Sequence, residues 1–252
     1  MWPRLALQRH SSRQPFSYAA SMTSDARKAP PRGKCAVFDA LSEQALARVL
    51  ASGLELEVPR GSTLYREGGS PRCVLVRSGL IRVYMQSAEG RQVTVRYARP
   101  NDLLGVAAAV AGPSPVAVQA LVDSRLLAFD AEALAEEGHR DARVAWAIAE
   151  ELGRRLYESL DQLASNAFGS VRERIARHLL DASIPGKQGH PTAAITQQEL
   201  ADAVGSAREV VARVVRAFRA ERLVRTRPGG IVLVAPEALA EIASGRRRHE
   251  QV

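Results

Sequence analysis

Residues 195–221, ITQQELADAVGSAREVVARVVRAFRAE, spell two helices joined by a tight turn, and the rest of the chain is organised around them. Thr196 precedes Glu199 by three residues, the pair that closes a capping box at a helix start. Leu200 and Val204 share one helical face, and Gly205 supplies the positive φ that a tight turn needs. The second helix follows at once. Its Val211 and Val214 are placed to meet Leu200 and Val204, and Ala201 is small where two crossing helices come closest. Arg208, Glu209, Arg213 and Arg216 lie on the outward face, behind Ser206 and Ala207. Arginine grips guanine through two acceptors, and glutamate accepts from the cytosine amino group. Thr196, Gln198 and the surrounding arginines suit phosphate oxygens. A merely solvated charged face would need neither the ordered turn nor a core shared by both helices. Further on, Arg225-Thr226-Arg227-Pro228-Gly229-Gly230 leads into IVLV, the pattern of a short basic hairpin, or wing. The segment predicts a winged helix-turn-helix that reads duplex DNA.

Working back, a helix is predicted over Val171 to Ala182, followed by a Pro/Gly-rich loop from Ile184 to Pro191. Asn166-Ala167-Phe168-Gly169 reads as a hinge. Before it a long helix runs from about His139 to Ala164, with Ala145, Ala149, Leu152, Leu156, Ser159 and Leu163 recurring in the steps of a two-stranded coiled-coil seam. At about 1.5 Å per residue such a helix spans roughly 38 Å. That is too long for one small barrel to cover alone, so pairing with a second copy is expected.

From Phe38 onward LSEQALARVLASG reads as a short helix, with Ser42 near its start and Gly53 at its end. Leu54, Leu56 and Val58 then alternate with Glu55 and Glu57, as a half-buried strand does. Turn signals recur at Pro59-Arg60-Gly61, Gly68-Gly69, Ser78-Gly79, Glu89-Gly90 and Pro100-Asn101-Asp102. Strands are expected between and beyond them, at Thr63–Tyr65, Cys73–Val76, Leu80–Met85, Val93–Tyr97, Ala117–Val122 and Leu126–Phe129. Many short strands at this spacing make a small antiparallel roll. The fold class is α+β: a disordered basic tail at 1–34, a β-roll sensor at 35–138, a dimerisation helix and hinge at 139–168, a winged helix-turn-helix at 169–244 and a basic tail at 245–252. For the first segment an organelle transit peptide, or translation from Met22, are the alternatives.

The net charge of +8 is unevenly spread. Residues 1–34 carry +6, residues 35–170 carry −3, and residues 171–252, with 14 basic and 9 acidic groups, carry +5. A basic C-terminal third on a mildly acidic body fits a nucleic-acid-facing module. No apolar run approaches the roughly 20 residues of a membrane helix, and no membrane partner is expected. Cys35 and Cys73 cannot build a four-cysteine cluster or a zinc site, so no metal or cofactor is expected, and sparse cysteine suits a reducing cytoplasm. No Ser/His/Asp set or Walker loop points to an enzyme.

From about Phe38 to Val234 the chain resembles the Crp–Fnr family, typified by the cyclic-AMP receptor protein. The resemblance is carried by Pro59-Arg60-Gly61, Gly68, Arg77-Ser78-Gly79, Asn101-Asp102-Leu103-Leu104-Gly105, Gly153-Arg154-Arg155-Leu156 and the segment from Ile195 to Arg216. It implies a cyclic-nucleotide-binding-like β-roll, a homodimer paired through the long helix, duplex DNA as ligand and RNA polymerase as a further partner. Arg208, Glu209 and Arg213 fall on the family's base-reading positions, which implies half-sites like TGTGA about 34 Å apart.

The same comparison places the effector pocket at Gly105, Val106, Val116, Ala117, Ser159 and Leu160. Cyclic-nucleotide-binding members have Glu after the glycine and an Arg-Ser pair further on. Here Val106 and Val116-Ala117 stand there, without a charge or a side-chain donor for a phosphate. On the long helix Ser159 matches in kind and Leu160 does not. Cyclic AMP bound in the usual manner is therefore not expected. Residues 103–122 instead form either a filled core or a pocket for a small apolar effector. Neither haem nor a redox role for Cys73 is expected: all five histidines lie outside the predicted roll, and a lone strand cysteine is ordinary packing.

Overall fold

The computed structural model describes residues 35–65, 72–186 and 189–245. The expected tail at 1–34, all of the expected tail at 245–252 but Gly245, and the turn at Gly68-Gly69 lie outside the described residues.

Two short helices, α1 (Ala36–Asp39) and α2 (Glu43–Val49), precede the roll, and Ser42 caps α2 by accepting from the amide of Ala45. The roll contains β1 (Leu54–Val58), β2 (Thr63–Tyr65), β3 (Arg72–Ser78), β4 (Ile81–Gln86), β5 (Gln92–Ala98), β6 (Leu103–Leu104), α3 (Val106–Ala111), β7 (Ala117–Ala120) and β8 (Ser124–Asp130). They form two antiparallel four-stranded sheets, ordered β1-β8-β3-β6 and β2-β7-β4-β5. The two central strands of the first sheet, β3 and β8, are buried on both faces, which explains their apolar runs. Val74, Val76, Leu126 and Ala128 point into the roll against Ile81, Val83, Val118 and Ala120 of the second sheet. Cys73, Leu75, Leu127 and Phe129 point the other way, beneath the helices.

α4 (Ala131–Arg140) and α5 (Ala142–Phe168) follow. The long helix was expected to begin at His139, but His139 belongs to α4, and Asp141 breaks the chain before capping α5 through the amide of Arg143. At the other end α5 runs through the expected hinge to Phe168, so the break falls at Gly169. The helix has two unlike faces. Val144, Ala147, Ile148 and Glu151 are buried against the roll. On the opposite side Trp146, Leu156, Leu163 and Phe168 are 68%, 58%, 63% and 89% exposed, and Ala145, Ala149 and Leu160 are exposed beside them.

The C-terminal unit has α6 (Val171–Asp181), β9 (Ser183–Ile184), β10 (Thr192–Ala193), α7 (Gln197–Val204), α8 (Arg208–Ala220), β11 (Val224–Arg227), β12 (Gly230–Leu233) and α9 (Pro236–Ala243). Its strands form one antiparallel sheet, β11-β12-β10-β9, and its core is separate from the roll's. The two units nevertheless touch. Arg99 donates to the carbonyls of Asp181 at 2.7 Å and Ser183 at 2.8 Å, satisfying a helix C-terminus with a cation. Tyr97 Oη lies 3.2 Å from His178 Nδ1, with the rings edge-on. Arg60 reaches the wing-tip carbonyl of Gly229 at 3.3 Å.

His178 is 1% exposed, and burial, with Arg82, Arg177 and Arg174 adding to it, holds its pKa down to about 4. The unfolded chain takes up that proton near pH 6.5. Stability is therefore fully present above about pH 6.5 and falls as pH drops toward about 4, by about 2 kcal/mol between pH 6.5 and 5. Denaturant melts across this range should show that loss, and His178→Phe should flatten it. A wild-type profile flat from pH 6.5 to 5 would contradict the assignment.

Candidate nucleic-acid interface

The helix-turn-helix is built by local rules. Thr196 Oγ1 accepts from the amide of Glu199 at 3.1 Å, and Glu199 Oε2 accepts from the amide of Thr196 at 2.7 Å. The capping box is thus complete, and the exposed Thr196 hydroxyl keeps its own proton to donate outward. At the end of α7, Gly205 has φ 61° and ψ 43°, and the amide of Ser206 donates to the carbonyl of Ala201 at 3.0 Å, a Schellman closure. α8 can therefore start three residues beyond Gly205.

Leu200, Ala201, Val204 and Val211 are buried as expected, with Ala201 at the crossing. Val214 was expected beside them, but it is only half-buried. Val215 and Phe218 complete the inward face, because α8 also packs on α6 and its apolar stripe runs along both contacts. Phe218 lies under the Arg172 guanidinium, 4.6 Å from the ring centroid.

Arg208, Glu209, Arg213 and Arg216 form one exposed stripe on α8. The charged ends of Arg208, Glu209 and Arg213 make no ion pair or hydrogen bond among the described residues. Gln198 is exposed and donates to Asp202 Oδ1 at 2.9 Å, and Ser206 is half-buried at the turn. The wing forms as expected, with Arg227 paired to Gly230 across Pro228-Gly229 and Gly229 at φ 82°. Arg225 and Arg227 are exposed on it.

Among the described residues the expected effector positions fall in different surroundings. Val106 is buried in the cluster beneath the helices, with Cys73, Leu103 and Phe129. Val116 packs on the roll interior, and Ala117 is buried in β7. Ser159 is exposed and donates to the carbonyl of Arg155 at 2.8 Å, and Leu160 lies on the apolar face of α5. Both cysteines are buried and free, and burial pushes the Cys73 thiol up to about 12, where thiolate chemistry is suppressed. No sequence signal pointed to Tyr97, Arg99 and His178, whose contacts between the two units join positions 81 or more residues apart.

Two family models match this arrangement: the cyclic nucleotide-binding domain over residues 55–141 and the Crp-like helix-turn-helix domain over residues 173–242. The chain is 31% identical over 189 residues to the "Cyclic AMP receptor protein" of Thermus thermophilus, covering 74% of this chain and 87% of that one. It is 24% identical over 217 residues to the "CRP-like cAMP-activated global transcriptional regulator" of Mycobacterium tuberculosis, covering 83% and 97%. A crystal structure of a crp/fnr-family protein from Eubacterium rectale superposes with a TM-score of 0.70 at 23% identity, covering 84% and 99%. These matches define the class as transcription regulators that bind DNA through a helix-turn-helix, not enzymes. The chain belongs to the Crp–Fnr family. Among the described residues no helix is long and apolar enough to cross a membrane.

Proposed function

We propose that the protein works as a homodimer on a two-fold symmetric DNA site, with α8 of each subunit in a major groove. Arg208, Glu209 and Arg213 read base edges, while Thr196, Gln198 and Ser206 hold the flanking phosphates. The observation that carries this is the exposed stripe on α8, in which the charged ends of Arg208, Glu209 and Arg213 have no protein partner among the described residues. The apolar face of α5 supports pairing through that helix, and RNA polymerase is the partner that family membership suggests.

The effector is not cyclic AMP held in the family's manner. The roll interior is occupied by side chains such as Val76, Ile81, Val83 and Val118, and the cassette positions Val106, Val116 and Ala117 carry no charge. The names of the two relatives favour a second reading, a cyclic-nucleotide response with a divergent cassette. Calorimetric titration with cyclic AMP separates the two, because micromolar affinity would establish the second.

Binding-site selection with purified protein tests the main reading. Wild type should select a palindrome of TGTGA-like half-sites. Arg208→Ala should lose about 1–3 kcal/mol and relax one position of each half-site. A uniform loss over all sequences would assign Arg208 to phosphate instead.

A further inference from the structure

A cleft of about 330 Å³ opens where β5, α5 and α6 meet. Five arginines line it: Arg96 and Arg99 from the roll side, Arg154 and Arg155 from α5, and Arg177 from α6. Three of these have occupied charged ends. Arg154 and Arg155 pair with Glu151 and Glu158, and Arg155 also meets Asp102 at 2.9 Å. Arg99 is committed to the carbonyls at the end of α6.

The other two are only partly satisfied. Arg96 donates through Nη2 to the carbonyl of Leu103, and Arg177 through Nη2 to that of Ala243. Arg96 Nη1, however, is buried without an acceptor, with Asp102 Oδ2 standing off at 3.9 Å, and Arg177 Nε is buried without one as well. A buried cationic donor lacking an acceptor is costly to maintain. Here two such donors, one from each unit, belong to residues lining the same space. Burial, reinforced by Arg155, lowers the Arg96 pKa to about 10, so it remains charged at neutral pH. Among the lining carboxylates, Asp102 and Glu158 are engaged by arginines, and Asp161 and Asp181 are exposed, with Asp181 close enough to Arg177 and Arg99 to feel their charge. At about 100° per residue, Arg154 and Glu158 sit roughly 140–180° around α5 from Ala149 and its apolar stripe. A second subunit seated on that stripe leaves the cleft open.

We propose that this cleft is the effector site, and that a small phosphate-bearing anion binds there between Arg96 and Arg177, bridging β5 to α6. Phosphate oxygens match guanidinium donors arriving from two sides, and the volume lies within the range of small-molecule sites. The proposal rests on the reading that the effector of this regulator is not held inside the roll. Occupancy ties the DNA-binding unit to the sensor at the junction both share with the long helix.

The test is calorimetry on the full-length protein with inorganic phosphate, pyrophosphate and 5′-AMP as probes and cyclic AMP alongside. At least one phosphate probe should bind saturably at one site per subunit, and its affinity should fall at least about tenfold in Arg177→Gln and Arg96→Gln. Hydrogen exchange on wild type, which does not depend on a variant folding, should slow in β5 and α6 when that probe is bound. No saturable binding, binding undiminished in Arg177→Gln, or protection confined to the roll interior would each overturn the proposal. Selective DNA binding is measured separately. If it persists while no probe binds, only the cleft assignment fails; if it is absent, the DNA-reading assignment fails whatever the probes do.

Discussion

Leu156→Glu combined with Leu163→Glu is expected to yield a folded monomer that no longer selects a two-fold symmetric DNA site. Both leucines are more than half exposed in the single chain, so neither contributes to the core on which α5 rests. That core is held by Val144, Ala147 and Ile148 on the opposite face, and circular dichroism should be unchanged. In a two-fold pair the same leucines meet their counterparts. Full burial of one leucine is worth roughly 1.5–3 kcal/mol, so four half-exposed ones contribute about 4 kcal/mol, before counting the repulsion of glutamates across the seam. Loss of that term alone weakens dimerisation about a thousandfold. DNA affinity falls further, because the second half-site is no longer delivered at high effective concentration. Sedimentation equilibrium checks the first effect and a symmetric duplex against a single half-site checks the second. Asp161→Ala, on the other side of α5, serves as the control. A double variant that remains dimeric at micromolar concentration would rule out this face as the seam.

What could be read from the residues was what neighbouring residues decide. The capping box at Thr196 and Glu199, the left-handed Gly205 and the strand from Leu54 to Val58 each involve positions a few residues apart, and each formed as expected. Misreadings arose where packing between distant elements decides. Val214 and Val215 both fit a helical period, and only the presence of α6 against α8 selects Val215 and Phe218. α3 was not anticipated, since VAAAVA lacks a side-chain cap and shows no amphipathic period. The break at Asp141 is of the local kind, since aspartate is a favoured cap, and a helix expected from about His139 runs past it. Of the effector residues taken from the family resemblance, Val106 packs beneath the helices, a contact with distant strands that no local pattern marks. The arginine cleft and the Tyr97–His178 contact draw on residues from three separate stretches, and no local pattern marks them.

Gly105 stands where the backbone itself calls for glycine. Its φ is 83°, a conformation costing a residue with a β-carbon about 1–2 kcal/mol. A β-carbon there would also stand 2.2 Å from the carbonyl oxygen of Arg72 and 3.2 Å from Cys73 Cα, both backbone atoms of β3. Relief requires β3 or α3 to move, at a further cost of about 1–3 kcal/mol. Gly105→Ala should therefore lose about 3 kcal/mol, a large share of the roughly 5–15 kcal/mol typical of a domain. Gly61 provides the matched comparison: its φ is 84°, but nothing lies within 4 Å of where a β-carbon would go. Gly61→Ala should lose only the conformational term, about 1–2 kcal/mol. Urea melts of the two variants isolate the steric contribution as their difference. Equal losses would mean that the approach of Arg72 to Gly105 does not hold the turn. A large excess at Gly105, measured with no nucleotide present, would show that this glycine is required by the backbone whether or not a ligand ever binds beside it.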